Sequence, residues 1–477
     1  MKRKSIFLII TLILLLTTVL SGCSGSGSGS GSGETEPETV TERQSEGTEE
    51  VEGTVEEEVD WASKAVTDFS QETTITIQHE WGADLTSVLM KPIEDKLKAE
   101  GKNITVNWIQ GSADSVALQE LNASGVVPDI IYTSVGVSGL QELGMIEPID
   151  DYMKIYEMDT SLIDPSVMSL LRSYDEKGSV IGVPTFADTF TLFYNKEIFD
   201  MFGVPYPTDH MTWDETIDLA KKLTGERNGI QYRGLSIGHK NSVTNDTLAP
   251  LKALTSNFVD PETDEVILTK EPAVTKYFEL MKKFYSIPGL YERDPEKQAS
   301  FFANGTAAML VSWPTYMEWG IPEEVRANTN AVLVPIWGGE DMFTPPTQAH
   351  MFILNKYSEN KDAAFQWMKE EVSEDMQTYF SANGFPTVLK SPEAIETFGS
   401  EKQQVYEGQN VKAYFPENAR VLEGRKSEYQ KMAEDFIVEK LPEFANSDMN
   451  IAEFLRKVEE ELEIKIKEEK LKVEQAG

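Results

Sequence analysis

Residues 182–223 read GVPTFADTFTLFYNKEIFDMFGVPYPTDHMTWDETIDLAKKL, and they constrain local structure more tightly than any other part of the chain. Residues 189–194 are rich in Thr, Phe, Leu and Tyr, which predicts a strand or an extended crossing. Asn195 stands where a helix N-cap belongs, and Gly203 where a left-handed residue would end that short helix. After the turn-forming Pro205, Tyr206 and Pro207, Thr212-x-x-Glu215 is a capping box. Ile217, Ala220 and Leu223 follow at helical spacing. A strand, a short capped helix, a turn and a second capped helix are the parts of a layered α/β protein.

The same alternation begins earlier. Residues 74–78 alternate as a strand, and Leu85, Leu89, Ile93 and Leu97 mark one helix face. Ile104, Val106 and Trp108 alternate as a second strand. Residues 114–124 are helical, and Pro128-Asp129-Ile130-Ile131-Tyr132 reads as a buried strand. This β-α-β-α-β order predicts a largely parallel open sheet with right-handed crossovers. Ligands of such sheets bind beyond the carboxyl ends of the strands. That rule selects Glu80, Trp81 and Gly82 after the first strand, and Thr133, Ser134 and Val135 after the third.

The N-terminus reads as an export signal. Lys2, Arg3 and Lys4 precede an apolar run over residues 6–20, and Leu20-Ser21-Gly22-Cys23 follows. The run is too short to span a bilayer, so residues 1–22 are expected to be a signal peptide. Cys23 is the only cysteine, which excludes an intramolecular disulfide. Residues 24–33 are a Ser/Gly repeat. Residues 34–59 carry eleven Glu against the single Arg43 and no aromatic residue. Residues 23–60 are therefore expected to be a disordered tether. The whole chain carries a formal net charge of −37; with the tether and the basic leader set aside, −30 remains on residues 60–477. A surface this acidic repels phosphate backbones, which argues against a nucleic-acid partner.

Some 415 residues after the tether are too many for one ordinary core and predict two domains. The segment 182–223, with its G-x-P, YNK-x-x-F, G-x-P-x-P and TW-x-E elements in order, resembles the extracellular solute-binding proteins of ABC importers, the family that includes maltose-binding protein. PDIIYTS followed by GLQELGMIEPIDDYM, Phe302-Ala303-Asn304-Gly305-Thr306-Ala307-Ala308-Met309 with Trp313 close behind, and Gly384-Phe385-Pro386 extend the resemblance to about residue 388. LSGC is similar to the bacterial lipobox, in which that cysteine is lipidated; the alternative is an ordinary secretory peptide that ends near a cysteine. The resemblance implies a two-lobed periplasmic-binding-protein-like fold of class II. Each lobe would be a mostly parallel sheet flanked by helices, with the ligand cleft between them. Lobe one is expected at 61–187 with 350–392, and lobe two at 191–346 with 393–477. The Glu/Lys-laced amphipathic stretch 451–473 is assigned to the surface of the second lobe, with a mobile tail as the alternative.

No catalytic or metal motif stands out. His79, His210, His239 and His350 are scattered, without a cysteine partner or an H-E-x-x-H spacing. Asp260-Pro-Glu-Thr-Asp264 lacks the alternating ligands of a calcium loop and reads as a solvated turn. There is no phosphate loop, dinucleotide fingerprint or nucleophile elbow. The expectation is a binding protein with no cofactor, no metal and no enzymatic activity.

What remains is aromatic and hydroxyl-binding chemistry. Sugar rings offer apolar C–H faces to Trp and Tyr and hydroxyl edges to Asp, Asn and Gln. Trp81, Trp313 and Trp337 lie beside Gly82, Pro314 and Gly338–Gly339, where they either face ligand or pack. Trp108, Trp213 and Trp367 sit on periodic faces and read as core. Tyr132 either faces ligand or is covered by the sheet, and Tyr194 beside the Asn195 cap reads as structural. Asp188 aligns with the family position where a polar group commonly meets ligand hydroxyls; the alternative is a hinge-capping Asp. The candidate ligand-binding set is Glu80, Trp81, Tyr132, Ser134, Asp188, Trp313 and Trp337, with Cys23 as the lipidation site.

The reading is a monomeric, lipid-anchored substrate-binding protein on the extracytoplasmic face of a bacterial membrane. It would bind a carbohydrate by hinge closure and deliver it to an ABC permease. A glycan hydrolase, a ligand-binding partner of a membrane sensor, and a non-sugar ligand remain open alternatives.

Overall fold

The computed structural model describes residues 60–66, 68–134, 136–238, 243–292 and 295–476. The chain separates into two units, Met1–Glu58 and Val59–Gly477. The expected signal peptide, Cys23 and the expected tether up to residue 59 lie outside the described residues, as do Val135 and His239.

The strands are β1 (Thr73–His79), β2 (Ile104–Gln110), β3 (Ile130–Thr133), β4 (Val183–Asp188), β5 (Thr191–Asn195), β6 (Gly225–Arg227), β7 (Ile230–Tyr232), β8 (Ser236–Ile237), β9 (Met309–Ser312), β10 (Thr329–Leu333) and β11 (Gln348–Leu354). One sheet has the order β2-β1-β3-β11-β4 and another β10-β5-β9-β8, while β6 and β7 form a separate ribbon. In the first sheet β1 pairs parallel with β2 and β3, and β11 runs antiparallel to β3 and β4. In the second, β5 runs antiparallel to β9 and β10, and β8 runs parallel to β9.

The expectation of mostly parallel sheets therefore holds for strand direction, with one reversed strand inside each sheet. The reversed strands are the ones that arrive from the other sheet. β5 follows β4 after only Thr189 and Phe190, and β11 follows β10 after residues 334–347. A strand delivered by a direct passage is not bound by the right-handed crossover that keeps βαβ units parallel.

Each sheet has its own core. Ile75 and Ile77 of β1, Ile130 and Ile131 of β3 and Phe352 of β11 are buried against Ile93, Leu97, Phe365 and Trp367. The stripe Leu85–Leu97 is not one helix: it breaks at Met90, ahead of Pro92, into Ala83–Leu89 and Lys91–Ala99. Gly182 lies so close to β11 that a Cβ there would sit 2.6 Å from the Phe352 carbonyl oxygen. That contact explains why the G-x-P leading into β4 needs glycine.

The second core gathers Leu192, Trp213, Ile217, Phe278 and Ile437. Its entry is built as the sequence dictates. Asn195 Oδ1 accepts from the Glu197 and Ile198 amides, and Gly203 closes the helix Lys196–Phe202 at φ 67°. The Thr212–Glu215 capping box starts the helix Trp213–Lys222. The C-terminal helix Ile451–Ala476 is part of this core rather than a tail. Phe454, Leu455, Val458, Leu462 and Ile466 are buried in it, and Phe454 packs 5.0 Å from Phe444, centroid to centroid. Before that helix, residues 420–426 lie along the helix Pro165–Arg172 and the residue that follows it. There Ser166 Oγ donates to the Arg420 carbonyl, the Leu422 amide to Ser169 Oγ, and the Lys426 amide to the Ser173 carbonyl.

Glu371, just past the helix Lys361–Glu370, is fully buried beneath β4. Neither carboxyl oxygen has a hydrogen-bond partner among the described residues. Burial pushes this carboxyl from its ordinary 4.5 up to about 8. The folded state therefore holds a proton that the unfolded chain releases above pH 4.5. Its penalty is absent below pH 4.5 and grows as pH rises toward 8, by about 1.4 kcal/mol per pH unit at most. Glu371→Gln should flatten this part of the stability profile. Denaturant unfolding at pH 5 and pH 8 is the check: wild type should lose more stability than the variant between the two, and parallel losses would contradict the assignment.

Candidate functional site

The strand ends place the site. β4 ends at Asp188, and the β11–β4 register sets Gln348 opposite it. β3 ends at Thr133, with Ser134 next. From the second sheet, Trp313 follows the last residue of β9. Asn245 comes from the helix Val243–Lys252 and Glu434 from the helix Gln430–Ala445. These residues, with Tyr174 and Lys426, line one cavity of about 300 Å³ between the two sheets.

Asp188 is 2% exposed. Its Oδ2 accepts from His350 Nε2 at 2.7 Å, while Oδ1 has no hydrogen-bond partner among the described residues. Tyr132 and His350 Nδ1 form a short hydrogen bond on the far side of the ring. A His350 tautomer with its proton on Nε2 satisfies both contacts: Tyr132 donates to Nδ1 and Nε2 donates to Asp188. The imidazole also stacks on Phe186 at 4.1 Å. Trp81 covers Tyr132 at 4.0 Å and lies 5.9 Å from Phe186. The result is an aromatic block that fixes His350, which in turn fixes one oxygen of Asp188, a residue lining the cavity, and leaves the other buried without a hydrogen bond among the described residues. Burial, with the charges of Glu80 and Asp188 added, raises the Tyr132 phenol well above its ordinary range, so it remains a donor.

The sequence-derived residues divide accordingly. Ser134, Asp188 and Trp313 line the cavity. Glu80 is exposed at its edge and accepts from Ser134 Oγ. Trp81 and Tyr132 are support: Tyr132 is 1% exposed, with its hydroxyl committed to His350. Trp337 lies apart. Its indole N–H donates to the Pro250 carbonyl at 2.7 Å, and it packs on the second core with Lys276 over its ring. His350, Gln348, Tyr174, Asn245 and Lys426 escaped the sequence reading. A signal for two of them existed: Gln348 and His350 are alternate polar residues leading an otherwise apolar strand, QAHMFIL.

One end of the cavity is ionic. Lys252 Nζ donates to Glu434 Oε2 at 2.8 Å and to Asn245 Oδ1 at 2.9 Å. Burial lowers Lys252, against the opposing pull of Glu434. Burial works upward on Glu434, but Lys252 and Lys426 together outweigh it and hold that carboxyl below its ordinary range. Among the described residues no three His, Cys, Asp or Glu side chains cluster as a metal site. Asp260 Oδ1 instead accepts from the Glu262 and Thr263 amides, which closes a turn.

Comparison with known proteins agrees with this architecture. The family model of bacterial extracellular solute-binding proteins matches residues 82–378. A Brucella abortus protein named only as a binding protein is 24% identical over 339 residues, covering 66% of this chain and 75% of that protein. Among solved structures, a Rhizobium etli sugar transporter in an open conformation aligns with a TM-score of 0.66 at 21% identity, covering 82% of this chain and 99% of that one. A Listeria monocytogenes ABC substrate-binding protein in complex with cycloalternan aligns with a TM-score of 0.61 at 17% identity, covering 83% and 99%. These structures share the two-lobed fold of periplasmic binding proteins, and the matched family consists of binding proteins rather than enzymes. With well over half its length matched, the chain belongs to the bacterial extracellular solute-binding protein family.

Proposed function

We propose that this protein is the lipid-anchored substrate-binding subunit of an ABC importer, that its ligand is a carbohydrate, and that the ligand is held in the cavity between Asp188 and Trp313. The observation that carries the reading is the Asp188 carboxylate at the cavity wall, buried and fixed by His350 through one oxygen, with the other unpartnered among the described residues. An unpartnered buried carboxylate oxygen is costly unless something donates to it, and a sugar hydroxyl is a suitable donor. Trp313 supplies a flat apolar face from the other sheet. The two structural relatives whose names mention a sugar and cycloalternan support the same ligand class.

Closure follows from connectivity. Lobe one is taken as 61–187 with 350–392, and lobe two as 191–346 with 393–477. Thr189 and Phe190 are then the shortest passage between them, with residues 420–426 as a further contact of the second lobe's chain on the first. A ligand touching Asp188 and Trp313 together contacts both lobes and favours the closed arrangement. A membrane permease would read that arrangement. Cys23 would carry the lipid that holds a monomeric domain at the outer face of the membrane, on the tether of residues 23–60.

Trp313→Ala removes a stacking surface and Asp188→Ala a charged acceptor. Each should weaken binding about ten- to a hundred-fold, from roughly 1.5–3 kcal/mol, mainly through faster dissociation. Calorimetric titration with a saccharide found in a thermal-shift screen checks this, with a melting curve for each variant. Unchanged affinity in both would remove the cavity from consideration. A large fall in melting temperature for Trp313→Ala would assign that ring to packing. Cys23→Ala should abolish acylation and membrane retention; an acylated, membrane-held variant would contradict the anchor.

A further inference from the structure

Three lysines reach the ionic end of the cavity: Lys252, Lys426 and Lys431. Lys252 is bonded to Glu434, and Lys431 pairs with Asp435. Lys426 is half-buried and makes no ion pair among the described residues; its ammonium lies 5.6 Å from the centre of the Tyr174 ring. The nearby carboxylates do not balance it. Glu434 is already held by Lys252, Glu428 is exposed, and Asp188 is bound to His350. Burial lowers the Lys426 ammonium, and only Glu434 opposes that effect. An uncompensated, half-buried cation is unfavourable in any protein. It is more notable in a chain with 80 acidic residues against 43 Lys and Arg.

From this arrangement we infer that the cavity recognises a saccharide bearing a carboxylate, a uronic acid unit, with the carboxylate seated against Lys426 and the ring hydroxyls toward Asp188. The inference rests on the carbohydrate reading above. Lys252, Glu434 and Lys426 together carry one excess positive charge, which a monoanion neutralises. A phosphate dianion would overcompensate it, and a neutral sugar would leave the ammonium unpaired. The Tyr174 ring beneath Lys426 keeps that ammonium oriented without consuming its charge.

The test is titration of the mature domain with matched pairs of neutral oligosaccharides and the corresponding uronates, of equal length and linkage. Wild type should bind the uronate member about ten- to a hundred-fold more tightly. Lys426→Met keeps the apolar stem on Tyr174 and should bring that ratio close to one, whereas Lys426→Arg should retain it. Equal affinity of wild type for both members of every pair, or a preference that survives in Lys426→Met, overturns the inference. The wild-type ratio needs no variant to fold. Binding of neutral sugars without a uronate preference leaves the carbohydrate reading standing and removes this one; binding of neither member removes both.

Discussion

The fold depends on two strands that lie inside one sheet and reach it directly from the other. β11 is inserted between β3 and β4, hydrogen-bonded along both edges, and β5 is inserted between β9 and β10 in the same way. Each lobe thus contains, inside its own sheet, a strand that arrives from the other. Backbone ladders make this attachment strong and directional, while the passages between sheets are as short as Thr189 and Phe190, both of them buried. The proposed closure rests on this connectivity. The inserted strand also builds the site, because β11 carries both Gln348, beside Asp188, and His350, bonded to Asp188.

The polar chemistry of the site follows a consistent logic. Tyr132, His350 and Asp188 form a hydrogen-bonded series that ends on one carboxylate oxygen, and aromatic rings pack around it. Groups held this way lose little freedom when a ligand arrives, so more of the new hydrogen bond appears as affinity. Glu371 behaves differently. It is buried with only the Thr185 hydroxyl pulling the other way, and kept protonated by burial, in the interior of the same lobe. One buried carboxyl is thus fixed at the wall of the cavity, and the other is tolerated because it is neutral.

Local signals were legible in the sequence wherever backbone chemistry demanded a particular residue. The Asn195 cap, the Gly203 stop and the Thr212–Glu215 capping box appear as read, because each satisfies backbone groups that few other residues can. The order β1, β2, β3 followed from alternation. The reversed directions of β5 and β11 did not, since pairing between strands more than a hundred residues apart leaves no periodic mark. For the same reason the site was only half visible. Ser134 follows a strand end, where a rule exists, whereas Asp188 was named from the family resemblance and Trp313 from its turn-rich setting. Tyr132 was named without its partner, because nothing in a one-dimensional pattern sets His350 against it. Trp337 shared the glycine-rich setting of a binding loop, yet its indole is committed to Pro250. Lys426 lies beyond the region of resemblance and reached the cavity only because residues 420–426 fold back along the first lobe.

The central claim is that ligand binding between Asp188 and Trp313 brings the two lobes together. Cys23 is the only cysteine, so a domain without it accepts two spin labels cleanly. Val116 in the first lobe and Ile464 in the second are 64% and 60% exposed and suit replacement by labelled cysteines. The most direct measurement is the distance distribution between these labels, with and without a saccharide that stabilises the domain. A distribution that shifts and narrows at saturating ligand in the otherwise wild-type domain, and stays in its ligand-free form at the same concentration in Asp188→Ala, is the predicted result. An identical distribution with and without saturating ligand would contradict closure as the mode of binding.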